Sequence, residues 1–259
     1  SDNSLAVIQP TFSAVTFLGT SYTQRADTLT VEGLTQFDND GDGTPESWNS
    51  ANPGIDIRGS NASVNNVSIV LSASTNGTTE YWTRVCGIRV QTYYSTGSNA
   101  TITDTDISVG STSSTSGYYS VGTTPIHVRN SSTTIDNLTV VGAGSGRSSA
   151  IGKTSGSAGI FITSDDSTAR TVVIRNSDIS GGGGSYTGST ANTVFDSVGI
   201  LIIGAGDGLS VTIEDNNVIN GGTGTDRMGI FYWLPATTTS EVNILEDDSL
   251  TDGWSSEPF

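Results

Sequence analysis

One cysteine, one histidine, one methionine and one lysine stand among 259 residues, and only 14% of the chain is charged. The lone Cys86 rules out an intrachain disulfide framework. Too few cysteine and histidine side chains are present for a structural zinc site. No nucleophile elbow or phosphate loop occurs, and no run approaches the ~18 apolar residues that a membrane span needs. Bases are scarce: 10 against 26 acids leave a net charge of −16, so the chain has little with which to displace counterions from nucleic acid. The opening Ser1-Asp2-Asn3 has neither a basic n-region nor an apolar stretch, and the expectation is that any signal peptide is already removed. With 34% hydrophobic residues and this charge, the composition alone reads as disorder.

Periodicity contradicts that reading. Gly contributes 32 residues, Ser and Thr about three in ten, and between them runs a repeat. Six segments carry a small or apolar residue, usually Gly, then alternating aliphatics. They are Pro53–Ile57, Cys86–Val90, Thr124–Val128, Ala158–Ile162, Val198–Ile202 and Met228–Tyr232. Their anchors, Ile55, Ile88, Ile126, Ile160, Ile200 and Ile230, lie 33, 38, 34, 40 and 30 residues apart. A second alternating strand follows 9 to 14 residues on, at Val64, Ile102, Ile135, Ile174, Ile213 and Ile244. After a polar turn comes a third short apolar patch: Val67/Ile69, Ile107/Val109, Leu138/Val140, Ile179, Val218 and Leu250.

Three short strands per unit, without helical periodicity, predict an all-β right-handed parallel β-helix of about six to seven coils with Gly/Ser-rich loops. At one strand spacing per coil the rod is about 30–35 Å long. The inward columns are β-branched, which suits a pleated buried surface. The expectation is one domain over 1–259, with an irregular N-terminal coil or cap over 1–50, regular coils over 51–252 and a tail over 253–259. The repeat, with turns such as Ile174-Arg175-Asn176-Ser177-Asp178-Ile179 and Ile213-Glu214-Asp215-Asn216-Asn217-Val218, resembles the pectate-lyase-like β-helix superfamily over about residues 50–250. That resemblance implies the fold. It leaves function open, because the superfamily holds lyases, hydrolases, esterases, tailspikes, adhesins and surface-layer components.

The segment Asp38-Asn39-Asp40-Gly41-Asp42-Gly43-Thr44-Pro45-Glu46 fits D-x-D-x-D-G, with Gly at the sharp turn. It resembles the calcium loops of EF-hands, dockerins and thrombospondin type 3 repeats. The resemblance implies Ca²⁺ as cofactor, held by carboxylates of Asp38, Asp40 and Asp42, the Thr44 carbonyl and Glu46. It departs from the pattern at the twelfth position, where Asn49 stands in place of a bidentate Glu. The other reading of this segment is an acidic surface turn.

Strand alternation sends a second set of residues outward from each first strand. Coils one to three present Asp56/Arg58, Arg89/Gln91 and His127/Arg129; coils four to six present Phe161/Thr163, Leu201/Ile203 and Phe231/Trp233. On this reading Phe161, Leu201, Ile203, Phe231 and Trp233 form an exposed interface or ligand platform, unless the 181–198 segment folds over them. Seven of the ten bases gather on the same side: Arg58, Arg84, Arg89, Arg129, Arg147, Lys153 and Arg227. Arg58, Arg89, Arg129, Arg147 and Lys153 are the expected anion-binding face. Acids gather at the opposite turn, at Asp104/Asp106, Asp178, Glu214/Asp215 and 246–248.

Such separation of charge serves self-assembly or an anionic polysaccharide partner. The leading expectation is an extracellular or cell-surface structural protein, calcium-stabilised and self-assembling into a layer, sheath, filament or adhesive coat. One alternative is a small polysaccharide lyase or hydrolase, with His127 as base between Arg89 and Arg129. Asp165-Asp166 faintly resembles the paired aspartates of β-helix polygalacturonases, but that family's Gly-His-Gly and Arg-Ile-Lys motifs are missing. A carbohydrate-binding module using Tyr118, Tyr119 and Trp233 is a third reading.

Overall fold

The computed structural model describes residues 15–17, 20–22, 29–31, 55–58, 61–71, 83–92, 98–109, 112–113, 121–142, 145–147, 154–183, 185–186, 193–204, 206–215, 217–234, 238–245 and 249–258. Among these residues there are strands and turns but no helix. The N-terminal strands are β1 (Val15–Phe17), β2 (Thr20–Tyr22) and β3 (Leu29–Val31). A repeating unit then begins with β4 (Ile55–Arg58), β5 (Asn61–Asn65) and β6 (Val67–Leu71). The second unit holds β7 (Thr83–Gln91), β8 (Asn99–Val109) and the short β9 (Thr112–Ser113). The third holds β10 (Val121–Arg129), β11 (Ser132–Val141) and β12 (Ser145–Arg147). Next come β13 (Thr154–Ser164), β14 (Arg170–Arg175), β15 (Asp178–Ser180) and β16 (Ser185–Tyr186). The fifth unit is β17 (Thr193–Gly204), β18 (Leu209–Glu214) and β19 (Val218–Asn220). The sixth is β20 (Arg227–Leu234), β21 (Glu241–Ile244) and β22 (Ser249–Leu250), followed by β23 (Trp254–Pro258).

The chain shuttles between two large sheets. Sheet I runs β2-β1-β4-β7-β10-β13-β17-β20-β23, so each unit adds its first strand beside the previous one. Sheet II holds β3, β5, β6, β8, β11, β14, β15, β18, β19, β21 and β22, and a small sheet III joins β9, β12 and β16. Pairing is parallel throughout, except that β1 lies antiparallel to both β2 and β4. These curled parallel sheets, stacked unit on unit, are compatible with a solenoid.

Register carries the anchors read from the sequence. In sheet I, Ile55, Ile88, Ile126, Ile160, Ile200 and Ile230 are Cα partners from strand to strand, all fully buried. In sheet II, Val64, Ile102, Ile135, Ile174, Ile213 and Ile244 form a second file. Ile69, Ile107, Val140, Ile179, Ile219 and Leu250 form a third, with buried Ile219 in the place the sequence reading gave to Val218, which is exposed. All three files meet in one core. Each fully buried aliphatic contributes about 1.5–3 kcal/mol, which is how a chain one-third apolar folds.

Two local features explain the repeat's punctuation. A Cβ at Gly159 would sit 2.7 Å from both the Gly199 carbonyl oxygen and the Ile179 methyl, and one at Gly199 would sit 2.8 Å from the Ile219 methyl. At Gly87, Gly159 and Gly199 the glycine before the anchor is thus the corner where sheet I meets the third file. The polar turn has a single backbone solution: Asn66, Asp104, Asn137, Asn176 and Asp215 all adopt φ between 50° and 59°. Asn and Asp tolerate this left-handed region better than other non-glycine residues. The turn bends the strand without ending its ladder. The second and third strands therefore share one sheet, and in β8 and β11 they are continuous, where the sequence had suggested separate strands.

Candidate functional site

The outer side of sheet I brings the sequence-selected residues together. Asp56, Arg89, His127, Phe161, Leu201, Phe231 and Ser255 form one file of Cα partners. Beside it runs a second file, Arg58, Gln91, Arg129, Thr163, Ile203, Trp233 and Glu257.

Their expected exposure is corrected. Phe161 and Leu201 are 0% exposed, Phe231 1% and Ile203 7%; only Trp233 of the five is partly open. They do not form an open platform but a second apolar cluster, completed by Ala158 and Val198 and flanked by Phe195, Met228 and Trp233. Phe195, carried by β17, packs at this cluster, its ring meeting Phe231 edge-on at 5.5 Å between centroids.

The polar half is buried as well. Arg89 is 6% exposed and His127 2%, so neither belongs to an open anion-binding face. The His127 ring stacks on Phe161 at 4.8 Å and 14°, and its Nε2 lies 3.1 Å from Thr163 Oγ1. Nδ1 has no hydrogen-bond partner. Burial, and then the positive charges of Arg89 and Arg129, push the imidazole pKa well below its ordinary value. A neutral His127 is therefore the native form at pH 7. The trio Arg89, His127 and Arg129 does converge, but the candidate base is covered, and a polymer has no path to its nitrogens without uncovering the face.

A cross-coil knot closes the edge of this site. Arg129 Nη2 meets Asp165 Oδ2 at 2.9 Å, with both side chains about one-third exposed. The Asn130 amide nitrogen donates to the other Asp165 carboxylate oxygen, while Asn130 Oδ1 accepts from the Asp165 backbone N–H at 2.8 Å. Burial raises the Asp165 pKa, but hydrogen bonds from Asn130 and Arg129 and the charge of Arg129 outweigh it, leaving the carboxyl below its ordinary value. Asp166 accepts from the Thr168 N–H at 3.1 Å and meets Arg170 at 3.5 Å. Both aspartates are engaged with neighbouring side chains and backbone. The sequence reading missed the Asn130–Asp165 partnership, although the spacing held a signal: 35 residues, close to the 34 between the anchors Ile126 and Ile160.

Other selected residues lie apart. Arg147 sits in β12 opposite Tyr186, in sheet III, and Arg58 ends β4 opposite Gln91. Lys153, Tyr118, Tyr119 and the loop carrying Asp38, Asp40, Asp42, Thr44 and Glu46 lie outside the described residues. Among the described residues no three His, Cys, Asp or Glu side chains are grouped to hold a metal. The acidic turn keeps Asp104, Asp106, Asp178 and Asp215 exposed, but Arg175 interrupts it and pairs with Asp136 at 2.9 Å. Cys86 is buried, and its thiol lies 3.1 Å from the Ile88 carbonyl. Comparison with protein-family models, curated proteins and solved structures finds no match to this chain.

Proposed function

We propose that the chain is a right-handed parallel β-helix serving as an extracellular structural or interaction scaffold that self-assembles. One observation carries this reading: among the described residues, polar side chains bond from coil to coil, and the candidate base His127 is buried. Arg129 bonds Asp165, Arg175 bonds Asp136, Arg227 bonds Asp252 at 2.9 Å and Asn137 bonds Asp104 at 2.6 Å. Such bonds tie neighbouring layers together, while the buried files inside and outside sheet I hold the stack. Side chains used this way favour a scaffold over a catalyst, because a catalytic group must reach its substrate. Calcium enters this reading through Asp38, Asp40, Asp42, Thr44 and Glu46 as a stabilising ion.

Light scattering and electron microscopy across protein concentration, with calcium and with chelator, test the proposal. Concentration-dependent assemblies are expected, and a particle that stays monomeric throughout sinks the reading. Calcium is expected to raise the melting temperature, by about 2.7 kcal/mol of stability at a hundredfold excess over Kd, and Asp40→Ala with Asp42→Ala to abolish the rise. The rival lyase reading would need unsaturated products from a uronate polymer that disappear in His127→Ala. The burial of His127 speaks against it.

A further inference from the structure

We draw no further inference here: the strongest candidate, the half-exposed last apolar layer of the stack around Tyr232, Ile244, Leu250 and Trp254, carries nothing because nothing in the structure shows what covers it.

Discussion

The outer face of sheet I has two halves that differ in chemistry and agree in burial. Arg89 and His127 occupy one half; Phe161, Leu201 and Phe231 continue the same file in the other, and none of the five exceeds 6% exposure. Covering the apolar half is favourable in itself. Covering the polar half has to be offset residue by residue, by the His127 stack on Phe161, the Thr163 hydroxyl and the Arg129–Asn130–Asp165 knot. Strand alternation tells which side of a sheet a residue faces. It does not tell whether that side is wet. A covered polar file looks, in sequence, like a polar file in water.

The sharpest way to break this comparison is a charge in the apolar half. Phe231→Asp removes an aromatic side chain that is 1% exposed and leaves a carboxylate with no cation among its file neighbours. It is expected to cost more than about 3 kcal/mol in urea unfolding, or to prevent folding. A loss within about 0.5 kcal/mol would mean that the face is open. Next in size is a paired truncation. Ile200 points into the main core and Leu201 into the outer cluster, and both are 0% exposed. Ile200→Ala and Leu201→Ala are each expected to cost about 2–5 kcal/mol. A Leu201 value far below that of Ile200 would show that the second cluster is loosely packed.

These positions also mark how much was legible. The anchors were, because a strand buried on its inner side repeats apolar residues at every second position, and the coil spacing brought Ile55 to Ile230 into one file. Even the composition of the outer files was readable, since register follows once the anchors align. Their burial was not readable, because it depends on where loop segments such as the start of β17 run, and these vary from coil to coil. Sheet III escaped for the same reason: β9, β12 and β16 are two or three residues each, within loops of uneven length. The Asn130–Asp165 knot lay between coils, where a reading along the chain does not look.

A smaller effect distinguishes the halves by pH. The folded His127 pKa is depressed, by burial and then by Arg89 and Arg129, so between that value and about 6.5 the unfolded chain binds the extra proton. Stability is then full above about pH 6.5 and falls as pH drops below it, toward the folded pKa. Asp165, also depressed, contributes stability that is present above about pH 4 and lost as pH falls further, through its folded pKa, so the two losses begin at different pH. His127→Phe continues the Phe161 stack without a titrating group. It is expected to flatten the unfolding free energy between about pH 6.5 and 4.5 and to leave the more acidic loss in place. A wild-type chain with no slope in that window would mean that His127 titrates as though it were in water.

The smallest expected effect lies at the rim of the polar half. The Arg129–Asp165 pair is 2.9 Å long but about one-third exposed on each side, where solvent screens most of the Coulombic gain. A double-mutant cycle with Arg129→Gln and Asp165→Asn is expected to give a coupling of about 1 kcal/mol or less, shrinking as salt is raised. Unfolding in urea at low and high salt measures it. A coupling above about 2 kcal/mol that ignores salt would place the pair inside the buried layer. The polar half would then be held by charge, not by the stacking of His127 on Phe161, and the two halves would differ in what stabilises them as well as in what they contain.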